Sequence, residues 1–298
     1  MANKIKKLCI YRINNPEGLT DEQISEKELL YQEMEYDDNE NVINEKTYLP
    51  DGDIEHEYRY SYDNRNRIIE EILVEGSGEI LERMTKEYDD HGRVSSETNH
   101  YEDDLADVTT IEYTAEGKEL SLTTVDTDGE LLRQKVYNFE SGKLVSIVET
   151  DEEGAVINKR TITYNEAGLP EEENVRESDV NFRLVSLYDE KGNRIQVKKY
   201  NPKNELLERI SYTYDEKGRI VQMKEEDAAG VEIHNLEVDD FENVIRQETT
   251  NQNGDVTGLI VREFSADNRQ LFTYVDVKNR HQPFAQNYRL RYDYEYRS

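Results

Sequence analysis

Tyr214-Asp-Glu-Lys-Gly-Arg219 returns in the same phase as Tyr88-Asp-Asp-His-Gly-Arg93 and Tyr188-Asp-Glu-Lys-Gly-Asn193. Working outward, the aromatic anchor recurs at Tyr36, Tyr62, Tyr88, Tyr113, Phe139, Tyr164, Tyr188 and Tyr214, and Val238 and Phe264 continue the phase at a spacing of 24 to 26 residues. The next position is a short hydrogen-bond acceptor such as Asp89, Asp189 or Asp215, which can take a backbone N–H further round a turn. Three residues on stands Gly92, Gly192 or Gly218, with Asn66 and Asn268 as substitutes, the residue types that accept positive φ in a tight hairpin. A second turn falls midway through each unit, as at Asp51-Gly52, Asp128-Gly129, Glu153-Gly154 and Asn253-Gly254.

Two turns per unit imply two strands, and the side chains between turns alternate as half-buried strands do. Leu206, Ile210, Tyr212 and Tyr214 share one face, whereas Arg209, Ser211 and Thr213 share the other. The expected fold is all-β: about ten tandem hairpin repeats of roughly 25 residues, forming one long antiparallel meander, curved or spiral, as an open sheet with capped ends. The expected organisation is an N-terminal cap over 1–35, repeats over 36–275 and a C-terminal capping strand over 276–298. Acidic segments at 101–107 and 177–182 replace the glycine turn and are expected to be longer hairpins. Two readings compete near the start: Thr20-Asp-Glu-Gln23 matches a capping box for one short helix, and a strand running into Tyr36 fits the same stretch.

Composition sets the partners. The 298 residues are 35% hydrophobic and 35% charged, with 21 Tyr, 6 Phe, no Trp and a net charge of −30. That balance alone resembles disorder, but phased tyrosines and β-branched residues indicate a folded chain with a thin core. Strong acidity disfavours nucleic acid and anionic membranes and favours a basic protein partner. Neither a signal-peptide apolar run nor a stretch of membrane-spanning length is present in the sequence, so a cytoplasmic location is expected, with export by a non-classical route left open.

The Tyr-Asp-x-x-Gly-Arg hexamers at 88–93 and 214–219, with the variant at 188–193, resemble the YD repeat of the Rhs and teneurin-like families, over about residues 30 to 275. The resemblance implies hairpins wound side by side into a spiral sheet and a carrier, scaffold or interaction role. The chain departs from large family members in having about ten units and no Asp-Pro dipeptide, which argues against a shell closed around a toxin. The expectation is a non-enzymatic binding scaffold, one version being an immunity or accessory protein of a bacterial toxin or secretion system. Alternatives are a structural subunit assembling through its terminal strands and a carbohydrate-binding β-protein.

No catalytic, cofactor or metal site is expected. Carboxylate pairs such as Asp89-Asp90 and Asp103-Asp104 belong to turns, where a fixed separation across a pocket is not expected. Asp126-Thr-Asp128-Gly129-Glu130 begins like a calcium loop without the downstream ligands. His56, His91, His100, His234 and His281 are dispersed with no metal-ligand spacing. The anchors Tyr36, Tyr62, Tyr88, Tyr113, Tyr164, Tyr188 and Tyr214 are assigned to packing. Tyr292, Tyr294 and Tyr296 on the last strand read as either a cap or a surface for self-association.

Overall fold

A computed structural model describes residues 4–278 and 286–297. Their strands, in chain order, are β1 (Ile5–Asn14), β2 (Leu29–Tyr36), β3 (Val42–Tyr48), β4 (Ile54–Tyr62), β5 (Ile68–Glu75), β6 (Ile80–Tyr88), β7 (Val94–His100), β8 (Ala106–Tyr113), β9 (Glu119–Val125), β10 (Leu131–Glu140) and β11 (Lys143–Asp151). There follow β12 (Val156–Tyr164), β13 (Pro170–Glu177), β14 (Val180–Tyr188), β15 (Arg194–Tyr200), β16 (Leu206–Tyr214), β17 (Ile220–Asp227), β18 (Gly230–Val238), β19 (Val244–Asn251), β20 (Val256–Phe264), β21 (Gln270–Val277) and β22 (Gln286–Tyr296).

The expectation of an open, spiral meander is corrected. All 22 strands belong to one sheet, and β1 pairs antiparallel with both β2 and β22, so the sheet closes on itself as a single β-barrel. The seam is long, running from Ile5 opposite Tyr296 to Asn14 opposite Tyr288. Closure has a physical motive, because two open edges would each present a row of unpaired backbone groups.

Helix α1 (Asp21–Lys27) resolves the ambiguity near the start. Thr20 Oγ1 accepts from Gln23 N while Gln23 Oε1 accepts from Thr20 N, a complete capping box. The helix buries Ile24, and Glu28 just beyond it takes the Arg291 guanidinium of β22 at 2.8 Å.

Contacts divide the chain into two compact units, one of residues 1–57, 188–196 and 208–298, the other of residues 58–187 and 197–207. In the first, the buried apolar side chains are Leu8, Ile10, Ile13, Ile24 and Val275, so its core lies around the seam. In the second they are Val74 and Val175. The accessible surface of 18833 Å² exceeds the roughly 13,000 Å² of a close-packed protein of this mass, in keeping with so few buried side chains.

The hexamer makes each hairpin. In its turn, Asp215 N donates to Arg219 O and Gly218 N to Asp215 O, a three-residue loop with Gly218 at φ +80°. Asp215 Oδ1 accepts from the Lys217 and Arg219 amides while Oδ2 accepts from Arg219 Nε at 2.7 Å. Asp63, Asp89, Asp189 and Asp239 repeat this clamp with Arg67, Arg93, Asn193 and Asn243. Segment 177–182, expected to be a longer hairpin, instead turns in two residues, with Glu177 opposite Val180.

Candidate functional site

The anchors stitch each hairpin to the one before. The Tyr88 hydroxyl donates to Ile68 O at 2.6 Å while its ring lies under the Arg67 guanidinium at 4.1 Å. Tyr113 repeats this with Val94 O and Arg93, Tyr164 with Leu144 O and Lys143, and Tyr214 donates to Arg194 O. These positions therefore read as structural. Tyr36, Tyr62 and Tyr188 end β2, β4 and β14 in the same phase, and burial pushes the Tyr36 hydroxyl above its ordinary pKa.

The C-terminal tyrosines belong to the same ladder. The Tyr294 hydroxyl donates to Gln270 O at 3.0 Å, and the Arg269 guanidinium lies 4.7 Å from the Tyr296 ring and 5.8 Å from that of Tyr294. Burial pushes Tyr294 up to about 12. Tyr292 receives the Gln270 amide at 3.1 Å. With β1 on one side and β21 on the other, β22 offers no free edge to a second copy.

The turn carboxylates are committed to their own backbone. Asp63 is held down to about 2, first by the Arg67 side chain and then by turn amides, and Asp89, Asp189 and Asp215 are lowered by the same kinds of bond. A general acid at neutral pH needs the opposite shift.

The second-turn end differs from the anchor-turn end. In residues 58–187 the second turns are 75–79, 101–105, 126–130, 151–155 and 177–180, and consecutive antiparallel pairing from β5 to β14 puts them all along one margin. They contain Glu102-Asp103-Asp104, Asp126-Thr127-Asp128-Gly129-Glu130, Asp151-Glu152-Glu153 and Glu177-Ser178-Asp179, and no Lys or Arg. The anchor turns of the same stretch carry Arg65, Arg67, Arg93, Lys118 and Lys143 among their acids. Beside four of these five turns stands an exposed apolar side chain: Ile80 is 56% exposed, Leu105 53%, Leu131 37% and Val180 60%. This row is the feature that sequence reasoning missed. Its signal was present as an apolar residue 16 to 18 positions after each of those anchors.

One cluster of metal-ligating side chains was also missed. Glu225 of β17 and Glu232 of β18 are directly opposite across a two-residue turn, with His234 two positions along the same face. His91 sits in an anchor turn, His56 and His100 lie on β4 and β7, and His281 lies outside the described residues. Among the described residues no helix is long and apolar enough to cross a membrane.

A family model described as "Uncharacterised protein" matches residues 150–279. No curated protein sequence matches the chain. Among solved structures, the TcdB2-TccC3-Cdc42 complex is similar at 14% identity and a TM-score of 0.44, covering 93% of this chain and 17% of that one. The Tc holotoxin pore of Photorhabdus luminescens gives 12% identity and a TM-score of 0.40, covering 97% and 18%. A porin-like protein from Bacteroides uniformis gives 13% and 0.32, covering 98% of this chain and 96% of that one. The chain thus spans less than a fifth of the toxin-complex chains that it resembles. The description of the chain as an open YD or Rhs hairpin array is corrected by the closed 22-stranded barrel, and none of these matches carries the repeat-family name.

Proposed function

We propose that the protein is a non-catalytic scaffold that binds a basic protein partner along the second-turn margin of residues 58–187. The observation that carries this reading is the exposed apolar row of Ile80, Leu105, Leu131 and Val180 set among turns that contain no cation. Exposed apolar side chains supply the contact area, and the surrounding carboxylates select a cationic partner and steer its approach. The acidic clamps of the anchor turns are internally neutralised by Arg67 and Arg93, so the unbalanced charge faces outward at the other end.

A cytoplasmic location goes with this reading. Charges stand on both faces of the strands, as Lys159 and Arg160 do in β12 and Lys224 and Glu225 in β17. A lipid-facing band would pay about 2–4 kcal/mol for each mid-plane Lys or Arg.

The test is capture from native lysate at low salt with elution at high salt, comparing the wild-type chain with a variant carrying Asp128→Asn, Glu130→Gln, Glu152→Gln and Glu153→Gln. None of these four side chains clamps its own turn. A basic protein recovered by the wild type and lost by the variant is the expected result. Equal recovery by both, or an empty column, overturns the assignment, and recovery of self-copies moves it to a structural subunit.

A further inference from the structure

We infer that Glu225, Glu232 and His234 form a binding site for one first-row divalent cation of the zinc class. The site is independent of the partner-binding margin, since it lies on the β17–β18 hairpin and not within residues 58–187.

Its geometry follows from register. Asp227 pairs with Gly230, which places Glu225 opposite Glu232 and Met223 opposite His234. Facing carboxylates on neighbouring strands repel and destabilise a sheet unless a cation joins them. Towards the outer strands Glu225 is opposite Ile210, Glu232 opposite Asn251 and His234 opposite Thr249.

Glu232 is 9% exposed, so its charge is held largely away from water. The histidine ring is presented as a ligand. Nδ1 meets the buried Thr249 hydroxyl at 2.8 Å, which fixes the ring, while Nε2 is buried without a hydrogen-bond partner. An imidazole oriented through one nitrogen with the other bare is the arrangement seen where histidine binds metal. Nε2 lies 4.0 Å from Glu225 Oε1. That is too long for a hydrogen bond, yet within the reach of two ligands that each approach a zinc ion to about 2.0–2.2 Å. One potential ligand atom from each of the three residues falls within 4.8 Å of the others, so a small rotation of one carboxylate closes the set. One imidazole and two carboxylates suit zinc or manganese rather than copper(I), which prefers sulfur. His234 also lines a cavity of about 530 Å³ with Met223, Leu236 and Val244, which gives a path for the ion and its water.

The experiment is calorimetric titration of the chelator-treated full chain with zinc chloride at moderate salt. The expected result is one ion per chain, with affinity at least about tenfold weaker in Glu225→Gln and in His234→Gln, and about tenfold or more weaker in Thr249→Val, which removes only the ring's support. Cobalt(II) absorption changes that appear in the wild type and vanish in His234→Gln give a second readout. Circular dichroism establishes that each variant is folded. No stoichiometric zinc binding by the wild type, or binding unchanged in both ligand variants, overturns the site. The second result assigns the ion to the general acidic surface.

Discussion

At the scale of single residues, the repeat depends on a division of labour within each hexamer. The aspartate holds the turn amides, the residue four places on returns a side chain to the carboxylate, and the glycine supplies the left-handed step. Gly218 isolates that last role, since a Cβ there meets no atom within 4 Å while φ is +80°. Gly218→Ala is therefore expected to cost about 1–2 kcal/mol from backbone strain alone. Gly218→Asn should cost less, because Asn66 and Asn268 occupy this position at φ 59° and 62°. Urea midpoints of the two variants check the order, and equal midpoints would show that the turn relaxes out of the left-handed region. These residue roles were legible from sequence, because a hairpin demands specific side chains at specific offsets. The Glu225–Glu232–His234 group was not. Nothing in the spacing of dispersed histidines says which strands pair, and slipping the β17–β18 register by one residue would send His234 to the other face relative to Glu225.

At the scale of elements, hairpins were readable and closure was not. The period of about 25 residues fixes each neighbour pairing, but whether the first strand meets the last depends on strand number, tilt and stagger together. No local pattern carries those quantities. Tyr292, Tyr294 and Tyr296 illustrate the limit: an alternating aromatic strand reads the same whether its outer edge is bare or paired. Here Tyr294 and Tyr296 stand beneath Arg269 much as Tyr88 stands beneath Arg67. Removing residues 286–298 would uncover the edges of β1 and β21. The truncated chain is expected to associate in a concentration-dependent way in sedimentation velocity, as exposed edges pair. A shortened chain that stays monomeric and as stable as the full one would show that the β1–β22 seam contributes nothing.

At the scale of the whole molecule, two electrostatic effects oppose each other as pH falls. The net charge of −30 repels itself, and protonating carboxylates relieves that strain. The clamping aspartates act the other way. Asp63, held to about 2 in the fold, contributes stability that is complete above the unfolded value near 3.9 and is lost as pH falls through 2. The melting temperature is thus expected to rise from pH 7 toward the isoelectric region near 4.5 and to fall below about 4. Asp63→Asn should blunt the acid limb. A melting temperature that declines steadily from pH 7 to 4.5 would show that self-repulsion is negligible, with the carboxylates already neutralised by neighbours or counterions.

The seam also sets a timetable for biosynthesis. Every hairpin joins segments made moments apart, so it can form as soon as it clears the ribosome, whereas Ile5 must wait for Tyr296, about 290 residues later, the costliest loop in the chain to close. Throughout elongation β1 carries Leu8 and Ile10 with no β22 to pair with, and at ~5–20 residues per second that wait lasts for tens of seconds. Pairing with β2, whose last residue is Tyr36, is what can shelter this strand meanwhile, so the hairpin made first serves as a temporary partner for the strand that must wait longest.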